Sequence, residues 1–137
     1  MKIETASFIL AGAVIISVIA TVMVFHLVPS HETEELEMRL QVSDYVGFDV
    51  ETSAIVFGTV PPGGMGQRDI IINNLADEPR NILIRAEGGL SEWVSVSENM
   101  FLVLANEEKP VSVHVQVPED AEFGNYTGTM KIHFFPL

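Results

Sequence analysis

Four histidines, nineteen carboxylates and no cysteine set the limits on the chemistry open to this 137-residue chain. His114 and His133 each fall on the polar face of an alternating run, so they expect exposure on strands. If the last two strands pair, the two rings become neighbours, half of a metal site or a pH-sensitive patch. No carboxylate stands at a fixed spacing on the same face to complete such a site. His26 and His31 flank the end of an apolar run and read as interfacial polarity. The acids Glu32, Glu34, Glu35, Glu37, Glu107, Glu108, Glu119, Asp120 and Glu122 never fall into the D-x-[DN]-x-[DN]-G order that wraps calcium. Paired acids for glycoside hydrolysis need a cleft that holds them about 5–10 Å apart, and a small sandwich offers none. No G-x-S-x-G elbow is present. Gly63-Gly64-Met65-Gly66 lacks the lysine and following helix of a phosphate loop. With no cysteine, thiolate metal sites, disulfides and cysteine nucleophiles are excluded. The sequence therefore reads as a non-enzyme with no catalytic, cofactor-binding or metal-binding residue.

Two other sets of residues concern attachment and modification. Gly12, Ala13, Ser17 and Thr21 form a stripe of small residues at helical spacing, the kind that lets two membrane helices approach closely. The functional reading is helix–helix packing through that face, in a homo-oligomer or against another membrane subunit; a monomeric anchor of average Ala, Gly and Ser content is the reading preferred here. Asn125-Tyr126-Thr127 is an N-glycosylation sequon, which suits a domain outside the cell.

The elements that would carry these residues divide sharply. Ala6 to Val28 contains no Asp, Glu, Lys or Arg. As a helix it would be about 35 Å long, enough to cross a hydrocarbon core of about 30 Å. It is longer than the core of a cleaved secretory signal and exits through Phe25-His26-Leu27-Val28-Pro29, with no small-residue cleavage pattern. Residues 1–30 are thus expected to be an uncleaved signal-anchor transmembrane helix. Lys2 on one flank and acids on the other place the N-terminus in the cytoplasm and the rest outside the cell membrane. Residues 31–37 (HETEELE) are expected to be an acidic stalk, or equally a hydrophilic helix extension capped by Ser30 or Thr33. The formal net charge of −12 and pI near 4.5 leave nucleic acid an improbable partner, because phosphate binding needs a basic surface.

From residue 38 to 137 the period changes to two. Val111, Val113, Val115 and Val117 alternate with Ser112, His114 and Gln116; Tyr126, Gly128, Met130, Ile132 and Phe134 alternate with Thr127, Thr129, Lys131 and His133. Further short strands are expected at Leu40–Val42, Phe48–Val50, Ala54–Phe57, Asp69–Ile72, Ile82–Ile84, Trp93–Val96 and Phe101–Leu104. Turn residues separate them: Pro61-Pro62-Gly63-Gly64, Asn73-Asn74, Asp77-Glu78-Pro79, Gly88-Gly89, Asn106-Glu107 and Pro118-Glu119-Asp120. Strands at spacings near 8–12 residues with such punctuation predict an all-β fold, an antiparallel β-sandwich preceded by one N-terminal transmembrane helix. Pro61–Gly64 is expected to form a rigid turn, Asn73-Asn74 to close a strand end through side-chain bonds, and Tyr126 to tie its hydroxyl to a loop.

Phe57-Gly58-Thr59-Val60-Pro61-Pro62-Gly63-Gly64, Arg68-Asp69-Ile70-Ile71-Ile72-Asn73-Asn74, Trp93-Val94-Ser95-Val96-Ser97, Val117-Pro118-Glu119-Asp120-Ala121 and Gly124-Asn125-Tyr126-Thr127-Gly128 occur in that order. Together they resemble the immunoglobulin-like modules of archaeal and bacterial membrane-anchored surface proteins, of the Hydin and major-sperm-protein type, over roughly residues 52–134. The resemblance implies an immunoglobulin-like sandwich at the cell surface. Its partners would be the lipid bilayer and another surface or membrane protein or glycan. Archaeal pilins and archaellum accessory proteins are similar in layout, and Glu4 before the apolar run resembles the glutamate of pilin helices. Against that, no basic leader with a Gly or Ala cleavage site precedes it.

Overall fold

A computed structural model describes residues 3–27, 32–47 and 54–137. The chain forms two compact units, residues 1–30 and 31–137. The first is one helix, α1 (Ile3–Leu27), and among the described residues it is the one long and apolar enough to cross a membrane. Its described side chains lie almost wholly exposed, so no protein core accounts for their hydrophobicity. The hydroxyls of Ser7 and Thr21 donate to the carbonyls of Ile3 and Ser17 at 3.1 and 2.8 Å, which satisfies polar groups that lipid could not. The flanks used to orient the anchor, Lys2 and residues 28–31, lie outside the described residues, as does the strand expected at Phe48–Val50.

The described residues of the second unit form a two-sheet sandwich of eight strands. They are β1 (Glu32–Val42), β2 (Ile55–Val60), β3 (Met65–Asn73), β4 (Arg80–Gly88), β5 (Val94–Val96), β6 (Phe101–Val103), β7 (Glu108–Gln116) and β8 (Gly124–Pro136). One sheet has the order β2-β1-β8-β4-β6 and the other β3-β7-β5. All pairings are antiparallel except β1 with β2, which run parallel with Met38 opposite Ile55 and Val42 opposite Val60. The all-β sandwich behind a single N-terminal apolar helix is therefore the architecture of the chain.

The period-two pattern builds the core. Val111, Val113 and Val115 of β7 and Ile72 of β3 face Met38, Leu40, Ile82, Ile84, Met130 and Ile132 of the larger sheet, all buried. Burying each such side chain stabilises the fold by roughly 1.5–3 kcal/mol. Residues 32–37 correct the expectation of a stalk: they are the first half of β1, not a tether. Their pairing runs unbroken along β8, from Glu32 opposite Phe134 to Val42 opposite Gly124. The physical reason is that Leu36, Met38, Leu40 and Val42 continue one inward row, while the acids between them find cations across the sheet. Lys131 lies 2.9 Å from Glu87 and 3.9 Å from Glu35, and Arg80 lies 2.8 Å from Glu32. The folded domain thus starts at β1 and not at residue 38.

Turn chemistry falls where expected. Gly64 N–H donates to the Pro61 carbonyl at 2.9 Å, and Gly63 at φ 76° takes the left-handed position that a type II turn demands. Gly128 is required for packing: a methyl there would sit 2.7 Å from the Glu87 carbonyl and 3.0 Å from the Met38 terminal methyl.

Candidate functional site

The two sheets decide where the histidines lie, and they separate them. β7 belongs to the three-stranded sheet and β8 to the five-stranded one, so His114 and His133 are not neighbours. Their expected adjacency is corrected by topology: the last two strands cross between sheets instead of pairing. His114 stands opposite Gln67 and Ser95 on an exposed face. His133 faces Thr33, with Nδ1 3.0 Å from its hydroxyl, and stacks on Phe135 at 6.1 Å. Among the described residues no group of three or more His, Asp or Glu could hold a metal ion.

The carboxylates act on structure. Asp69 accepts from the Ser112 hydroxyl at 2.6 Å and from Gln67 at 3.2 Å across β3 and β7. Those bonds, Ser112 first, hold its carboxyl below the usual range. Glu37 accepts from Arg39 at 3.0 Å, which likewise lowers it. The Glu87 carboxylate, hydrogen-bonded to Lys131, raises that ammonium above its ordinary value, with Glu35 adding a smaller pull. Glu107 accepts from the Leu104 amide at 2.9 Å and closes a turn. Glu98 pairs with Lys109 at 2.8 Å. Glu87 and Glu35 share Lys131, while Asp69, Glu37, Glu107 and Glu98 each bond a separate neighbour.

Side-chain amides stitch the loops. Asn74, essentially buried, donates to the carbonyls of Glu78 (2.9 Å), Val103 (3.1 Å) and Leu104 (3.1 Å), and accepts from Ala76 N–H at 3.2 Å. This is the strand-end role expected of the Asn73-Asn74 pair. Asn99 was not singled out by sequence reasoning. Its amide meets both the N–H (2.8 Å) and the carbonyl (2.9 Å) of Ile84, and so continues the β4 ladder just past the last residue that β6 pairs. Asn in a loop is too common a signal to have revealed it. Tyr126 donates to the Glu122 carbonyl at 2.8 Å and packs against the sole tryptophan, Trp93, with ring centroids 4.6 Å apart.

One shallow groove opens on the five-stranded sheet. It has a volume of about 350 Å³ and lies where β1, β2 and β8 meet, between Arg39, Gln41, Thr59 and Tyr126. Its walls are half polar, and the Thr59 hydroxyl donates to Gln41 Oε1 at 3.2 Å inside it. Asn125 of the sequon stands exposed on the same rim. The polar groups on its walls are the side chains of Gln41, Thr59, Asn125 and Tyr126, with the Arg39 guanidinium bonded to Glu37 at 3.0 Å. Of the small-residue stripe, a methyl added at Gly12 would have nothing within 4 Å, and the Thr21 hydroxyl is taken up by the Ser17 carbonyl.

No family model matches this sequence, and no curated protein matches it. Among solved structures the chain is similar to the DraE adhesin in complex with chloramphenicol succinate (14% identity, 80% of this chain and 97% of that one, TM-score 0.45). It is similar too to the AfaE-3 adhesin from Escherichia coli (13% identity, 78% and 96%, TM-score 0.44). These superpositions are loose and the sequences far apart, so no function is inferred from them.

Proposed function

We propose that this chain is a single-pass membrane protein whose immunoglobulin-like domain stands outside the cell and acts as a non-catalytic interaction or structural module. The observation that carries this is the pairing of an exposed apolar helix of spanning length with an acidic sandwich whose titratable groups are spent on structure. Lipid covers α1, and a surface protein or glycan is the partner of the domain, met through loops, the polar groove or an edge strand. The acidic surface makes association with a cationic partner weaken as salt rises.

The test is fractionation of cells making the full chain. The chain stays in the membrane pellet after alkaline carbonate washing, and protease added to intact cells removes the sandwich. Release by carbonate, or protection from the protease, would overturn the anchor or its orientation. Capture with the detergent-solubilised full chain then names the ligand, and loss of capture at high salt checks the electrostatic part.

One observation favours a second reading, a subunit of a surface appendage or membrane complex with α1 packed in the assembly. The strand that follows the helix, β1, is an interior strand of its sheet. N-terminal sequencing of the mature protein separates the two: a processed N-terminus supports the appendage, and an intact Met1 the anchor.

A further inference from the structure

The Asn125-Tyr126-Thr127 sequon opens β8, and its two polar side chains take no part in holding the fold. Asn73, Asn74 and Asn99 spend their amides on Glu108, on the carbonyls of Glu78, Val103 and Leu104, and on the Ile84 backbone. Among the described residues neither the Asn125 amide nor the Thr127 hydroxyl has a hydrogen-bond partner. Tyr126, between them, turns the other way: its hydroxyl donates to the Glu122 carbonyl at 2.8 Å and its ring packs on Trp93. Successive side chains leave a strand by opposite faces, so Asn125 and Thr127 share the outer face, and both are exposed. Gln41 and Arg39 of β1, exposed as well, stand directly opposite them. On the other flank β4 pairs β8 only from Gly128 onward. Thr129, two residues beyond the sequon, is already held between Glu37 and Glu87. A bulky group on Asn125 therefore has a paired strand on one side only, and the groove of about 350 Å³ opens beside it.

We propose that Asn125 is the acceptor of an N-linked glycan on the outer face of the five-stranded sheet. The donor is an oligosaccharide on a polyisoprenyl-phosphate carrier. The Asn125 side-chain nitrogen attacks the anomeric carbon of the first sugar. The nitrogen–carbon bond forms, the bond from that carbon to the phosphate oxygen breaks, and the carrier leaves as its phosphate. The amide proton passes to a base of the transferase. The Thr127 hydroxyl, on the same face and unspent, is the group the acceptor motif presents two residues on. Once attached, the sugar stands over polar walls, where the hydroxyl of Thr59 and the amide of Gln41 already bond each other. Such transfer takes place on the far side of the membrane from the cytoplasm, so the proposal rests on the outside placement of the domain argued above.

The test uses the full chain, made in cells whose transferase modifies a control variant. In that control Thr127→Ala removes the native sequon and Glu108→Thr creates another that begins at Asn106, an exposed turn residue. In the same cells the native chain runs above its 15.1 kDa polypeptide mass, and mass spectrometry finds sugar increments on the peptide that carries Asn125. Asn125→Gln and Thr127→Ala each return the chain to the polypeptide mass, whereas Thr127→Ser, which restores the hydroxyl, keeps the increments. A native chain without added mass overturns the proposal, and so does added mass that survives Asn125→Gln. Protease treatment of intact cells is scored separately. A sandwich that the protease removes but that bears no sugar sinks the glycan and keeps the outside placement. A sandwich that bears the sugar but resists the protease keeps the glycan and sinks the placement at the cell surface.

Discussion

Replacing Asn74 removes three donated hydrogen bonds and one accepted bond from a site that is almost fully buried. Asn74→Ala takes away side-chain partners of the Glu78 and Val103 carbonyls and of the Ala76 amide, whereas the Leu104 carbonyl keeps the Glu107 amide at 3.2 Å. A typical bond contributes about 0.5–1.5 kcal/mol net, and a buried group left unpaired costs about 1–3 kcal/mol. The Glu78 and Leu104 carbonyls are only part-buried and can turn to water, so the loss sums to about 3 kcal/mol, mostly from Val103 O and the emptied volume. Asn74→Asp is nearly the same shape but sets a carboxylate against three carbonyl oxygens, and at neutral pH it is worse than Asn74→Ala. Its sign with pH is fixed. Burial and repulsion raise the folded-state pKa of the new acid above its unfolded value of about 3.9. Relative stability is therefore recovered as pH falls below the folded value and is lost as pH rises through it. The assay is urea unfolding of the detergent-solubilised chain, followed by fluorescence of Trp93, which is half-buried against the core with its ring tilted onto Tyr126. The reasoning fails if Asn74→Ala unfolds within about 0.5 kcal/mol of the parent, the span of an ordinary surface change. It fails equally if the deficit of Asn74→Asp is the same at pH 4 and pH 7.

Leu40→Ala in β1 costs about 2–5 kcal/mol by urea unfolding, because a buried leucine leaves a cavity, while Glu34→Ala on the exposed half of the strand stays within about 0.5 kcal/mol. Equal effects would mean that β1 is not part of the core. Gly128→Ala costs about 1–3 kcal/mol by overpacking, since the Glu87 backbone cannot yield as a side-chain tip would. A silent Gly128→Ala in thermal melts would contradict the close approach of β8 and β4. The lowered carboxyls of Glu37 and Asp69 contribute stability above their unfolded values, 4.5 and 3.8, and that contribution goes as pH falls through the folded values. The melting temperature should therefore drop on acidification, and by less in Asp69→Asn. Lys131, raised above 10.5, contributes below that value and loses its part as pH rises beyond it, which Lys131→Met abolishes.

Local pattern alone determined a great deal of this protein. A charge-free run of spanning length made α1 legible from composition as an apolar helix. Alternation made β7 and β8 legible, because each strand has one wet face and one dry face. The Pro61–Gly64 turn, the Asn74 strand end and the Tyr126 tether were legible because those side chains act on backbone within a few residues, or close strand ends by well-known bonds.

What the sequence could not decide depends on residues far apart along the chain. The acidic segment from Glu32 reads as solvated until Arg80 and Lys131 are brought across from β4 and β8. Whether His114 meets His133 depends on which sheet each strand joins, and strand-to-sheet assignment leaves no mark in a period of two. The parallel pairing of β1 with β2 is likewise a property of the closed sandwich. Periodicity is fixed by each residue's own neighbours, whereas partnership is fixed only when the last strand arrives.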